Sequence, residues 1–182
     1  MKIIQKYFLA LVPPPEILQQ AHDIKLLIRD HFGIKYALKS PPHVTLKMPF
    51  SYNESKEILL EKKLEDFLVA QKPFTLKIDG VGTFGKRVIF LGIQKSPELI
   101  ELQYSLKSFC KKELNLVDEL SDRNYYPHLT LAFKDLKVGQ FDEVLDLVKA
   151  QKFQAEYYAV DLAILKRIEQ KWVLFKKIPF GY

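Results

Sequence analysis

The chain has 182 residues, 48% of them hydrophobic and 27% charged, with a net charge of +6. These totals fit an ordinary soluble globular protein large enough for one sizeable core or two small lobes, and no apolar run reaches the ~20 residues that a membrane span needs. A single cysteine, Cys110, excludes an internal disulfide and a cysteine-rich zinc site, so a reducing, cytoplasmic setting is expected.

Ile3–Val12 reads as a strand, and its apolar part is too short for a secretion signal. Pro13-Pro14-Pro15 ends it, and proline is favourable where a helix starts. Glu16–Phe32 carries Ile17, Leu18, Ala21, Ile24, Leu27 and Ile28 at helical spacing, with Gly33 as the stop. His22 and His31 fall on the polar side of this helix and read as surface residues. A strand over Pro42–Tyr52 follows, then a helix over Ser55–Ala70 with Ser55 as its cap. Phe74–Val81 alternates as a strand and enters a turn over Gly80–Gly85, from which Val88–Ile93 returns. Gly80, Gly82 and Gly85 have the spacing of a nucleotide loop, but they lie between strands. Without a following helix the phosphate-cradle mechanism fails, and a hairpin is expected. Ser96-Pro97-Glu98 opens a third helix to about Leu114, with Cys110 on its apolar face. Asn115–Tyr126 reads as a loop and Phe141–Gln151 as a fourth helix. Glu156–Lys166 and Lys171–Ile178 read as a final hairpin across Glu169-Gln170.

One pentapeptide pattern occurs twice: Pro42-His43-Val44-Thr45-Leu46 and Pro127-His128-Leu129-Thr130-Leu131. Successive strand side chains point to opposite faces. His43 and Thr45 therefore share a face, as do His128 and Thr130, while Val44, Leu46, Leu129 and Leu131 point into apolar packing. Lys47 continues the face of His43 and Thr45 and is a candidate substrate-binding cation. The elements around the two copies repeat in order, strand–helix–His-strand–helix–strand, over residues 1–81 and 86–178. This repeat predicts an α+β fold. One domain over 1–182 would hold two similar lobes related by a pseudo-two-fold, with the polar faces of His43/Thr45 and His128/Thr130 meeting across a cleft.

Two imidazoles and two hydroxyls in such a cleft suit phosphoryl chemistry. Histidine titrates near 6.5, so one ring can accept a proton while the other donates one. Threonine hydroxyls on the same faces can bind the non-bridging phosphate oxygens where charge develops. A metal site is the nearest rival, but two histidines with no carboxylate immediately around them make a thin ligand set. A serine or cysteine nucleophile has no supporting motif. Tyr125 and Tyr126 stand beside the second copy. Tyr126 is the candidate for stacking a base.

The paired H-x-T-x motif, His43-Val44-Thr45-Leu46 and His128-Leu129-Thr130-Leu131, resembles that of the 2H phosphoesterase superfamily. Within it the chain looks like the branch of bacterial 2′-5′ RNA ligase and RNA 2′,3′-cyclic phosphodiesterase. The resemblance covers nearly the whole chain, including Tyr7-Phe8-Leu9-Ala10 and Val88–Ile93. It implies antiparallel sheets lining a central cleft with helices outside, and catalysis by His43 and His128 without metal or cofactor, the threonines holding phosphate. It further implies that His43 protonates a leaving 3′ oxygen and His128 activates water, leaving a 2′-phosphate. Where many relatives carry an arginine five positions after the second histidine, this chain has Phe133, followed by Lys134. The expected activity is hydrolysis of the 2′,3′-cyclic phosphate of RNA ends or small nucleotides by a monomer. The alternatives are action on 2′-5′ linkages or cyclic ADP-ribose phosphate, and an RNA-binding module without turnover.

Overall fold

The structure is a computed structural model and describes residues 3–181. The first half of the chain runs β1 (Ile4–Leu11), α1 (Pro15–Phe32), β2 (Val44–Asn53), α2 (Glu57–Leu68) and β3 (Phe74–Phe84). The second runs β4 (Val88–Ile93), α3 (Pro97–Glu113), the short α4 (Leu120–Arg123), β5 (His128–Ala132), α5 (Phe141–Ala150) and β6 (Gln154–Ala159). Two further strands, β7 (Asp161–Ile168) and β8 (Lys171–Pro179), close the chain. Antiparallel pairing sorts them into two four-stranded sheets, ordered β2-β1-β7-β8 and β5-β4-β3-β6. The fold is α+β with two similar lobes. Each His-strand is the edge strand of its sheet, and the two edges come together.

The strand order crosses the halves of the repeat. β3 sits between β4 and β6, and β7–β8 completes the sheet begun by β1 and β2. One apolar core joins both sheets through residues such as Leu9, Leu46, Leu64, Leu91, Leu102 and Leu129. Each such side chain contributes ~1.5–3 kcal/mol by leaving water. The opposite face of the first sheet carries a smaller apolar group of Phe8, Ala10, Val12, Ala163 and Leu165, packed against Trp172. No helix among the described residues is long and apolar enough to cross a membrane.

Local chemistry explains most boundaries. Pro15 starts α1, and Gly33 ends it in the left-handed region at φ 72°, donating its N–H to the Arg29 carbonyl. Ser96 caps α3 by accepting the N–H of Leu99. Four boundaries differ from the sequence expectation. The start of α2 is preceded by a 3-10 turn whose cap is Asn53 rather than Ser55. The loop before the second histidine contains α4, closed by a reciprocal capping box between Glu119 and Asp122. β3 runs past its glycines to Phe84, and the reversal falls on Gly85 and Lys86. The Glu156–Lys166 stretch is two strands in different sheets, broken at Val160. The Glu169-Gln170 turn has both residues at positive φ, 46° and 66°, as a two-residue hairpin requires.

Candidate active site

Both histidines enter their strands from a proline, and both are held in the same way. Nδ1 of His43 lies 2.7 Å from the carbonyl oxygen of Pro41. Nδ1 of His128 lies 2.7 Å from that of Tyr126. A carbonyl only accepts, so each Nδ1 carries the proton, and Nε2 of each ring is left for a ligand. Thr45 and Thr130 follow two positions along and are partly exposed, while Val44, Leu46, Leu129 and Leu131 are buried. The alternation expected of both motifs is thus present.

Each imidazole rests on aromatic rings. His43 lies 4.7 Å from Phe8, which meets Trp172 edge-on at 4.7 Å. His128 meets Phe84 edge-on at 5.0 Å and Phe90 at 5.1 Å. Phe8 and Phe90 occupy matching places in Phe8-Leu9-Ala10-Leu11 and Phe90-Leu91-Gly92-Ile93, the first strands of the two halves of the repeat. Gly82 makes the Phe90 position possible, because a Cβ there would lie 2.4 Å from the Phe90 ring. The glycines of β3 therefore serve packing and turning, and none cradles a phosphate.

This apolar bedding sets the electrostatics. Burial pushes His43 down to about 4, opposed by the Pro41 carbonyl and reinforced by the charges of Lys25 and His128. Burial also lowers His128, opposed by the Tyr126 carbonyl. The action of His128 on His43 joins the two motifs electrostatically. A cavity of about 270 Å³ lies against both motifs; its lining takes Thr45 from the first and His128 from the second, with Met48, Phe84 and Tyr126, and does not include His43 or Thr130.

The two other sequence candidates part company. Tyr126 is half exposed, walls the cavity, and carries the Lys95 ammonium 4.6 Å from its ring centre. Lys47 does not reach the cleft. The register of β1 against β2 slips between Thr45 and Lys47, and this bulge turns Lys47 inward beside Leu46. Its side chain is fully buried, ion-paired with Asp122 and donating to the Val117 carbonyl at 3.0 Å. Asp122 also accepts the Met48 N–H at 2.8 Å and the Glu119 N–H at 2.9 Å. Lys47 thus anchors the segment that carries Tyr125 and Tyr126. Tyr125 packs against the core with its hydroxyl buried and unpartnered, and Phe50, farther along β2, stacks on Tyr7 inside the core.

A basic cluster gathers around Tyr36, beside the end of β5; it includes Lys134, and its other members were not marked in the sequence. Lys134 donates to the Tyr36 hydroxyl at 2.9 Å, and Lys39 and Lys134 lie 4.7 and 4.6 Å from the Tyr36 ring centre. That hydrogen bond and the charges of Lys134, Lys39 and Arg167 lower the Tyr36 phenol. Tyr36 and Lys39 lie in the segment leading to His43, and Lys134 follows Thr130 along the chain. No group of three or more His, Cys, Asp or Glu able to hold a metal ion occurs among the described residues.

Comparison with known proteins places this geometry in context. The family model described as the 2′-5′ RNA ligase superfamily matches residues 13–171. A Bacillus cytotoxicus protein, provisionally named a phosphoesterase, is 30% identical over 159 residues, 85% of this chain and 87% of its own. A second provisional phosphoesterase, from Oceanobacillus iheyensis, is 25% identical over 97% of this chain and 98% of its own. The fold matches that of TT0787 of Thermus thermophilus, with TM-score 0.66 and 17% identity over 97% of this chain and 98% of the other. It also matches E. coli LigT complexed with 3′-AMP, with TM-score 0.63 and 20% identity over 99% and 100% of the two chains. At these identities the structural likeness is one of fold.

Proposed function

The chain belongs to the 2′-5′ RNA ligase superfamily of 2H phosphoesterases, and on that premise we propose that it is a metal-independent cyclic phosphodiesterase that opens 2′,3′-cyclic phosphates. The observation that carries this reading is the matched pair of imidazoles. Each is fixed through Nδ1 to a carbonyl, each offers Nε2, and each is followed on its strand by a threonine. In the reaction, one neutral Nε2 takes a proton from water as the water oxygen bonds to phosphorus. The bond from phosphorus to one ribose oxygen breaks, and the second imidazole, protonated beforehand, gives that oxygen its proton. The product is a phosphate monoester beside a free hydroxyl, and the two rings have exchanged roles. Thr45 and Thr130 donate to the non-bridging oxygens, where charge grows at the transition state.

Family resemblance makes His43 the acid and His128 the base, with a 2′-phosphate as product. The depth of His43 favours the reverse, because the ring held at about 4 is the harder to protonate. Identification of the phosphate position after hydrolysis of a 2′,3′-cyclic nucleotide shows which ribose oxygen leaves; which ring is the acid is read from His43→Ala and His128→Ala on a phosphodiester with a good leaving group, where loss of the acid costs little and loss of the base still costs in full.

Cations cluster on residues near both motifs, with Lys95 over Tyr126 and Lys39, Lys134 and Arg167 around Tyr36. They favour a substrate with phosphates beyond the scissile one, such as an RNA end. The test is turnover of 2′,3′-cyclic mononucleotides, short RNAs with cyclic-phosphate ends, 2′-5′-linked oligonucleotides and cyclic ADP-ribose phosphate, each with and without exhaustive chelation. Hydrolysis that survives chelation and favours the cyclic-phosphate RNA supports the reading. Activity lost on chelation and restored by one divalent ion overturns its metal-free chemistry.

A further inference from the structure

Among the described residues five polar or charged side chains are buried: Lys25, Lys47, Gln103, Asp122 and Lys166. Four of them hold the two segments that lead into the histidines. Gln103 donates to the Asp122 carbonyl at 3.1 Å, and Lys47 pairs with the Asp122 carboxylate, both on the approach to His128. Lys25 serves the approach to His43, and the mechanism above gives it no role. It projects from α1 with 2% of its surface exposed, and its Nζ donates to the carbonyls of Ala37 at 3.0 Å and Ser40 at 3.1 Å. No ion pair engages it among the described residues.

A buried ammonium without a carboxylate is costly, and sequences seldom keep one where an apolar side chain fits. Here the ammonium grips the far end of a 3-10 turn over Tyr36–Lys39 whose near end other contacts hold. At its start, Asp135 accepts the N–H groups of Lys35 and Tyr36, both at 2.8 Å. At its end, Pro41 and Pro42 have no N–H to donate, and their rings fix φ. Once the Ser40 carbonyl is held, the prolines leave the Pro41 carbonyl little freedom. That carbonyl in turn holds Nδ1 of His43.

We infer that Lys25 is the positioning residue of His43: by clamping the Ala37 and Ser40 carbonyls it fixes the turn whose Pro41 carbonyl sets the tautomer and aim of the His43 imidazole. The inference deepens the two-histidine reading and rests on it. Lys25 also acts through its charge. The titratable groups acting on His43 are Lys25 from α1 and His128 from β5, and Phe8 packs on its ring. Burial pushes Lys25 down to about 7, so it carries its charge below that pH, where the cation disfavours a second one on His43.

The test uses the full chain and needs no substrate for its first arm. Nitrogen-15 NMR of the imidazoles should find neutral His43 with its proton on Nδ1. In Lys25→Met, which keeps an unbranched buried chain but has no donor, His43 should become a mixture of tautomers and titrate at higher pH. The His128 tautomer should not change. In the second arm, kcat for a 2′,3′-cyclic nucleotide should fall about tenfold or more in Lys25→Met while KM stays within about threefold, the pattern of a misaimed catalytic group. Lys25→Arg, still a donor and a cation, should recover part of the loss. A wild-type His43 protonated mainly on Nε2 overturns the inference whether or not any variant folds. So does a folded Lys25→Met protein with unchanged tautomer and kcat. Absence of turnover in the wild type would sink the phosphodiesterase reading alone, since the NMR arm still judges Lys25.

Discussion

An imidazole whose Nδ1 is committed to a carbonyl has one nitrogen left to do chemistry, and both histidines are in that state. Alanine at either position should therefore cost at least ~100-fold in kcat, and the double variant should lose far less than the product of the two, because the pair acts as one unit. Thr45→Val and Thr130→Val keep shape and remove the hydroxyl. Each should cost ~3–4 kcal/mol or less in transition-state binding, read from kcat/KM. The pH dependence follows from burial. Both imidazoles sit below 6.5, His43 at about 4, so the bell-shaped kcat/KM profile should peak on the acid side of 6.5, its limbs belonging to the coupled pair. A maximum above pH 7 would show that burial does not govern the pair. Between about pH 4 and 6.5 the unfolded chain holds more protons on these residues than the native one, so this contribution to stability rises with pH and is lost as pH falls. The four motif residues were legible in the sequence because a strand has period two and the motif recurs. Lys25 was not, since a lysine between Ile24 and Leu27 reads as an ordinary polar position of an amphipathic helix. Only its place between Ala21 and Ile28 on the buried stripe could have marked it.

At the scale of elements, strands and helices were legible where capping and periodicity are local, as in Pro15–Phe32 closed by Gly33 and Ser96 capping α3. The failures are places where tertiary contacts decide. The bulge in β2 depends on pairing with β1, so nothing between Thr45 and Lys47 announces that Lys47 turns inward. The stretch Ala159-Val160-Asp161 contains no glycine or proline, so the passage from one sheet to the other is invisible in it. Helix α4 is four residues long, too short for a periodic signal, and its Asp122 is legible as a capping residue but not as the partner of a lysine far back in the chain. That pairing yields a prediction. Asp122→Asn nearly preserves shape while leaving the Lys47 ammonium buried without its counter-charge. It should destabilise the protein by ~3–5 kcal/mol, measured from the urea midpoint at constant slope. Adding Lys47→Met removes the stranded charge, so the double variant should recover much of that loss. Equal midpoints for Asp122→Asn and the double variant would show that the stranded ammonium is not what costs stability.

At the scale of the molecule, both sheets cut across the repeat that revealed the site. β1 needs β7 as well as β2, and β3 lies between β4 and β6, so each sheet draws strands from both sides of the turn at Gly85. The core is continuous across both sheets, and carboxylates tie the lobes reciprocally: Asp122 before His128 holds Lys47 and Met48, while Asp135 after Thr130 holds the segment before His43. The chain should therefore unfold as one unit. Trp172, the one tryptophan, reports on β8 in the first sheet, whereas far-UV circular dichroism averages over both. Their urea transitions should coincide. Cutting the chain supplies the stronger test. A fragment of residues 1–84 leaves the apolar face of β3 and one edge of β1 without partners and should be unfolded alone, as should 85–182. Because the cut falls in the exposed turn between β3 and β4, and the Asp142 and Phe141 contacts of Lys86 stay within the second fragment, the two fragments mixed together lose one connection and little packing. They should assemble into a folded complex with both histidines in place, recovering native circular dichroism and hydrolytic activity at micromolar concentration. A fragment 1–84 that folds by itself, or two separated transitions in the intact chain, would show that the lobes are independent and that the exchange of strands between the halves does not bind them into one structure.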